Sequence, residues 1–174
     1  MRSNEQVMRA RKSRKVPRAY ARAIRGAIGG GLGLSLMVAF ANWTDLPLEA
    51  VPFTTSIVLV MAAPESDQAQ PRNIIGGHVL SALSGLVVWM ALGTNPLLAG
   101  PAVALSIAAM QLTGTLHPPA GINAMLFVSL QLSWKFLLMP VAVGALGLVA
   151  FAFLYHRLTA PGRWPRSWWA PLRQ

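Results

Sequence analysis

Six apolar runs alternate with polar breaks along the chain, in the order long, short, long, then long, short, long. The first run covers about Ala19 to Trp43. The second, PFTTSIVLVMAAP from Pro52 to Pro64, is short. At ~1.5 Å per residue, a helix of that length covers little more than half of a roughly 30 Å hydrocarbon core. After the polar stretch ESDQAQPRN, the third run spans Ile74 to Gly93. A tight TNP break leads to the fourth, Leu97 to Leu116. The fifth, PPAGINAMLFVSLQL from Pro118 to Leu132, is again short and again opened by proline. The sixth runs from Phe136 to Leu158. The pattern predicts an all-α, polytopic membrane protein: four long transmembrane helices plus two short or re-entrant helices, in two long-short-long repeats. The repeats are residues 19–93 and 97–158 of a transmembrane domain spanning 19–158. Residues 1–18 form a basic arm, and residues 159–174 a Trp/Arg-rich tail suited to a headgroup layer. The apolar run from Ile24 reads as an uncleaved first helix rather than a signal peptide, because its charged leader is long and further runs follow.

Laying Pro52 on Pro119 also pairs Leu59 with Leu126, Gly33 with Gly100, Gly77 with Gly144 and Ala41 with Ala108. Those identities are few, and the shared architecture is the stronger signal. Short, proline-interrupted segments at matching places in two halves point to a transporter's binding site. If both short segments cross, there are six crossings, the halves are inverted, and the short helices enter from opposite sides. If both are re-entrant, there are four crossings and parallel halves. The six-crossing arrangement is preferred, because it brings the starts of both short helices near one site. Small residues at Gly26, Gly29, Gly30 and Gly33, and at Gly77, Ser81 and Gly85, let helices approach closely in lipid.

Composition supports this reading. Hydrophobic residues make up 54% of the chain and charged ones 11%, far fewer than a soluble domain carries. Between Gly26 and His156 the only formal charges are Asp45, Glu49, Glu65, Asp67, Arg72 and Lys135, all at breaks between runs. The net charge of +10 therefore sits mostly in the tails. Basic tails flanking membrane segments are cytoplasmic signals, so both termini are expected in the cytoplasm of a bacterial cell, with the domain in its inner membrane. Anionic lipid is the expected partner of the arm. The basic runs lack any reader motif, which argues against nucleic acid. The chain has no cysteine, which removes disulfides and thiolate metal sites. Its three histidines lie on different elements, and the apolar runs carry no carboxylate. Neither a metal, a cofactor nor an enzymatic activity is expected, and a cation pump of the carboxylate type is disfavoured.

One stretch departs from this uniform greasiness. LHPPAGINAMLF, residues 116–127, places His117, Pro118 and Pro119, then Gly121 and Asn123, inside an apolar region. Proline suits the first turn of a helix, and the residue before it is pushed out of the α region. A helix starting near Pro119 would aim free N–H groups back toward His117, and a helix start favours an anion. At depth, such irregular backbone is tolerated only where it is buried or lines a cavity.

HPPAGINA between two apolar helices resembles the HPP family of integral membrane proteins. FTTSIVLVMAAPESDQAQPRNIIGGHVLSALSG resembles that family's other block, and together they cover roughly residues 50–156. The resemblance implies four transmembrane helices and a transporter, and some plastid and cyanobacterial relatives move nitrite. Thr54-Thr55-Ser56 and Ile122-Asn123 stand where the family has mostly small residues.

The expected function is thus transport of a small inorganic anion, with nitrite the substrate the resemblance implies. The expected site is built from the starts of the two short helices: His117, Pro118, Pro119, Gly121 and Asn123 on one side, Thr55 and Ser56 on the other. Arg72 would attract anions at the mouth, and Asn73 and His78 complete the candidate set. The alternative is a non-transporting membrane anchor or regulatory module acting through the basic arm. Blander readings stand beside each residue. HPP serves as an interfacial turn, His78 packs between helices, Gln70 to Asn73 form a solvated loop and cap, and His156 lies at the interface. The Gly-rich faces also permit a homo-oligomer.

Overall fold

The structure, a computed structural model, describes residues 2–44, 52–93 and 95–168, with side chains from residue 19 onward. The connection holding Asp45 and Glu49, the side chains of the basic arm and residues 169–174 of the tail lie outside the described residues. Helix α1 (Arg2–Thr44) is followed by α2 (Phe53–Ala62), α3 (Pro71–Leu92) and α4 (Ala99–Thr113). Then come α5 (Ile122–Leu130), the short α6 (Trp134–Phe136) and α7 (Val143–Thr159). Ala19–Thr44, Pro71–Leu92, Pro96–Thr113 and Trp134–Thr159 are long and apolar enough to cross a membrane. Phe53–Ala62 and Pro118–Leu130 are apolar but shorter. The long-short-long order read from the sequence is therefore present in both halves.

Contacts between helices fix the direction of each. α1 and α2 lie antiparallel: a Cβ added at Gly26 would meet Met61 O, and one at Gly33 would meet Ile57 and Phe151. Gly29 faces Tyr155 and Met61, whereas Gly30 has nothing within 4 Å, so the close-approach stripe is Gly26, Gly29 and Gly33. α3 and α4 form an antiparallel pair, since Arg72 at the start of α3 donates to Thr113 O at the end of α4, at 2.6 Å. α5 runs parallel to α3 along Gly77, Ser81 and Gly85. Gly77 faces the His117 Cβ, Ser81 Oγ accepts from Ala124 N at 3.1 Å, and Gly85 faces the backbone of Ala124.

One end of the bundle collects α1 near Arg22, the end of α2, the start of α3, the end of α4 and the end of α7. Arg22 Nη1 meets Glu65 Oε1 at 2.9 Å, and Tyr155 OH donates to Arg25 O at 2.6 Å. α4 ends at this near end and α7 begins at the far one, so α5 must carry the chain across. α2 likewise runs back toward the near end. Corresponding helices of the two halves thus run in opposite directions, which is the inverted arrangement.

Two sequence expectations need correction here. The sixth run is not one helix: Met139 has φ −136° and ψ 114°, and α7 begins only after Pro140. Proline crowds the preceding residue out of the helical region and removes a donor from the ladder. His156, in the last turn of α7, is 3% exposed, with Nε2 donating to Val60 O at 3.2 Å under the Trp164 ring. The tail turns back on the bundle end to produce this: Trp164 is buried and Nε1 donates to Ala69 O at 2.9 Å. Gln70 is not solvated either. It is 2% exposed, donates to Pro64 O and Ser66 O, and accepts from Arg166 N.

This geometry places residues 66–69 at the near end and residues 132–134 at the far end. Single cysteines introduced there into a chain without native cysteine are expected to label from opposite sides of the membrane. Labelling of both from one side only would restore the four-crossing arrangement.

Candidate polar site at the meeting of the short helices

α2 opens at Phe53, directly after Pro52, and its fourth position is Ser56. The second short helix is preceded by a tight turn, Pro118–Gly121, after an extended His117 at φ −136° and ψ 90°. Pro118 pushes His117 out of the helical region, and the fixed φ of the two prolines suits the turn that follows. Asn123 follows on the first turn of α5. Ser56 and Asn123 each stand four residues after a proline, Pro52 and Pro119, and so occupy matching places in the two halves.

The two helices run in opposite directions and bring these residues together against His78, about two turns into α3. Ser56 Oγ lies 2.9 Å from His78 Nε2 and 2.8 Å from His117 Nε2. His117 Nδ1 lies 2.7 Å from Gln68 O, and Asn123 Nδ2 lies 3.0 Å from His78 Nδ1 and 3.2 Å from His78 O. Ser56, His78 and His117 are fully buried and Asn123 is 1% exposed.

The carbonyl at the outer end orders the whole chain of hydrogen bonds. Gln68 O only accepts, so His117 Nδ1 carries a proton, and in a neutral ring Nε2 then accepts. Ser56 donates its hydroxyl to that Nε2. Ser56 Oγ accepts from His78 Nε2–H, which leaves His78 Nδ1 to accept from Asn123 Nδ2–H. The other amide hydrogen goes to His78 O, and this fixes which way the Asn123 amide faces. A single atom is then left over: Asn123 Oδ1 is buried and has no hydrogen-bond partner among the described residues. Such an orphaned acceptor costs about 1–3 kcal/mol.

The sequence-derived residues divide clearly. His117, Asn123, Ser56 and His78 converge. Pro118, Pro119 and Gly121 shape the turn without facing the cluster's polar atoms, and Pro118 is exposed. Thr55 is exposed and donates its hydroxyl to Pro52 O at 2.8 Å, because one turn cannot aim adjacent residues at the same point. The backbone donors expected from residues 120–123 and 53–56 are not all free: Ala120 N donates to His117 O, and Ser56 N to Pro52 O. Arg72 holds Thr113 O beside Gly114, whose φ of 65° ends α4 and leaves carbonyls there to be satisfied. Asn73 donates to Leu116 O at 3.0 Å, a carbonyl with no helical partner in the extended approach to the prolines. Both therefore brace the break from outside the cluster.

Two participants were not read from the sequence. Gln68 contributes only a backbone carbonyl, which leaves no trace in residue type. Phe53 packs its ring 4.8 Å from that of His78. It also walls an apolar cavity of about 250 Å³ between α1, α2 and α7, lined by Leu36, Ile57, Val143 and Phe151 among others. The Phe53 ring separates this cavity from the polar cluster.

The family of proteins described as "HPP, transmembrane region" matches residues 15–165, nearly the whole described bundle. The chain belongs to the HPP transmembrane family. Two transmembrane proteins of Dictyostelium discoideum are similar to it, one 38% and one 34% identical over 125 residues. Each match covers 67% of this chain but only 44% and 40% of the relative, so the chain spans less than half the length of these relatives. No solved structure matches it. Membership of the HPP family and the four long apolar spans make it a multi-pass membrane protein.

Proposed function

We propose that this HPP protein transports a small monovalent inorganic anion, nitrite being the substrate its family resemblance suggests, and that the cluster of Ser56, His78, His117 and Asn123 is its binding site. The observation that carries the reading is the convergence of both short-helix starts, from opposite halves, on one buried polar group. Polar side chains at depth are costly, and where they persist they mark substrate pathways. When an anion arrives, Ser56 turns its hydroxyl from His117 to the anion, and His78 Nε2–H supplies a second donor. Dipoles and neutral donors offset a modest dehydration cost better than a large one, so nitrite is favoured over sulfate. The chain is proposed to lie in a bacterial inner membrane with both termini cytoplasmic, the basic arm resting on anionic lipid.

Flux into proteoliposomes tests this. Nitrite is expected to enter well above the rate of protein-free vesicles, and sulfate is not. Flux of neither nitrite, nitrate nor chloride would leave the anchoring role as the reading to pursue.

A further inference from the structure

The transport reading leaves open how a negative charge is tolerated at the cluster, and the surroundings answer this. Of the elements packed around His117, α2, α4 and α5 carry no formal charge at all. α3 brings only Arg72, held on Thr113 O, and His78 itself. The 65–70 loop brings Glu65 and Asp67, both largely exposed and lying beside Arg22 and Arg166. α7 brings His156, held on Val60 O, and Arg157, exposed in its last turn at the near end. No fixed cation among the described residues faces the site to balance an anion.

The cluster holds two features that accommodate a proton instead. Ser56 Oγ has a second acceptor already in place, Pro52 O at 3.3 Å. If His117 Nε2 takes up a proton, it becomes a donor to Ser56 Oγ and releases the Ser56 hydroxyl, which turns to Pro52 O in the empty site and to the anion in the loaded one. One hydroxyl rotation thus accommodates the charge. The second feature is Asn123 Oδ1, the buried acceptor without a partner among the described residues. It is placed to accept from a hydroxyl that the substrate itself brings.

We infer that the site takes its anion together with one proton, carried either on His117 Nε2 or on the substrate as its conjugate acid. This rests on the transport reading above. In balance, one anion and one proton leave the same aqueous side, the loaded site is neutral, and both are released together. Ser56 is the positioning residue: it receives the proton's hydrogen bond and redirects its own.

The test uses proteoliposomes with a pH-sensitive dye inside and an inward nitrite gradient, with protein-free vesicles giving the background for diffusion of nitrous acid. The lumen is expected to acidify by about one proton per nitrite moved, and a valinomycin-clamped potential of either sign is expected to change flux by less than about twofold, since the loaded site carries no net charge. Ser56→Thr, which keeps a hydroxyl, is expected to preserve the proton-to-nitrite ratio. If the proton rides on His117, Ser56→Ala lowers that ratio below about half of the wild-type value, a change that simple loss of folded protein cannot produce; a ratio unchanged in Ser56→Ala assigns the proton to the substrate. Nitrite flux without acidification, or flux driven faster by an inside-positive potential, overturns the inference and leaves anion transport standing. Flux of no anion above background overturns both.

Discussion

Replacing His117 by Phe is expected to reduce nitrite flux at least about tenfold relative to His117→Gln, since one hydrogen bond to a charged partner is worth about 1.5–3 kcal/mol. Phenylalanine fills the space but donates nothing. It leaves Gln68 O without its partner at 2.7 Å and deprives Ser56 of the acceptor at 2.8 Å. Ser56 recovers a bond through Pro52 O, so the fold survives better than the function. Glutamine retains a donor and an acceptor at similar reach. Flux per folded protein, normalised to the monodisperse fraction, reads the difference. Near-equal flux of the two variants, with Asn123→Ala also silent, would reduce the His-Pro-Pro break to a structural turn.

Gly85→Ala is expected to lower the thermal midpoint by about 2–12 °C, on a cost of about 1–3 kcal/mol for overpacking and about 2–4 °C per kcal/mol at this chain length. A Cβ there would overlap the Ala124 carbonyl oxygen and Cα, which are backbone atoms and cannot swing aside. The added methyl pushes α5 away from α3, and with it Asn123 from His78. Gly100 and Gly147 have nothing within 4 Å of an added Cβ and serve as controls. Alanine at either is expected to leave the midpoint unchanged or raise it slightly, since alanine favours helix over glycine. Tryptophan fluorescence during heating in detergent measures all three. Equal behaviour at Gly85 and Gly100 would mean that α5 does not lie against α3 as described.

The sequence made some of this visible and hid the rest for identifiable reasons. Proline position announced both short helices, because proline at a helix start is a local effect. The Gly77, Ser81 and Gly85 stripe announced a close neighbour, although not that the neighbour would be α5. The meeting of Ser56 with His117 followed from an inverted arrangement of the halves. What stayed hidden depended on rotation about a helix axis. Thr54, Thr55 and Ser56 are all polar, and only the packed structure chooses Ser56 as the buried one. A helix apolar on every side gives no periodic signal for which face turns inward. His78 read more readily as packing between helices, and only the structure sets Ser56 and Asn123 on its two nitrogens. The equal spacing of Ser56 and Asn123 from their prolines was a signal present in the sequence. The closing of the near end by Gln70, His156 and Trp164 was not, since it joins residues far apart along the chain.

Anion-dependent thermal stability tests the central claim most directly, because it needs no knowledge of direction or driving force. A ligand at about a hundredfold its Kd stabilises the folded state by about 2.7 kcal/mol, which at this chain length is a shift of about 5–10 °C. Nitrite is expected to raise the midpoint of the wild-type protein by this order and sulfate is not. His117→Phe and Asn123→Ala are expected to lose the rise while remaining folded in its absence. An equal rise in the variants, or no rise with nitrite, nitrate or chloride, would contradict a binding site at the meeting of the two short helices.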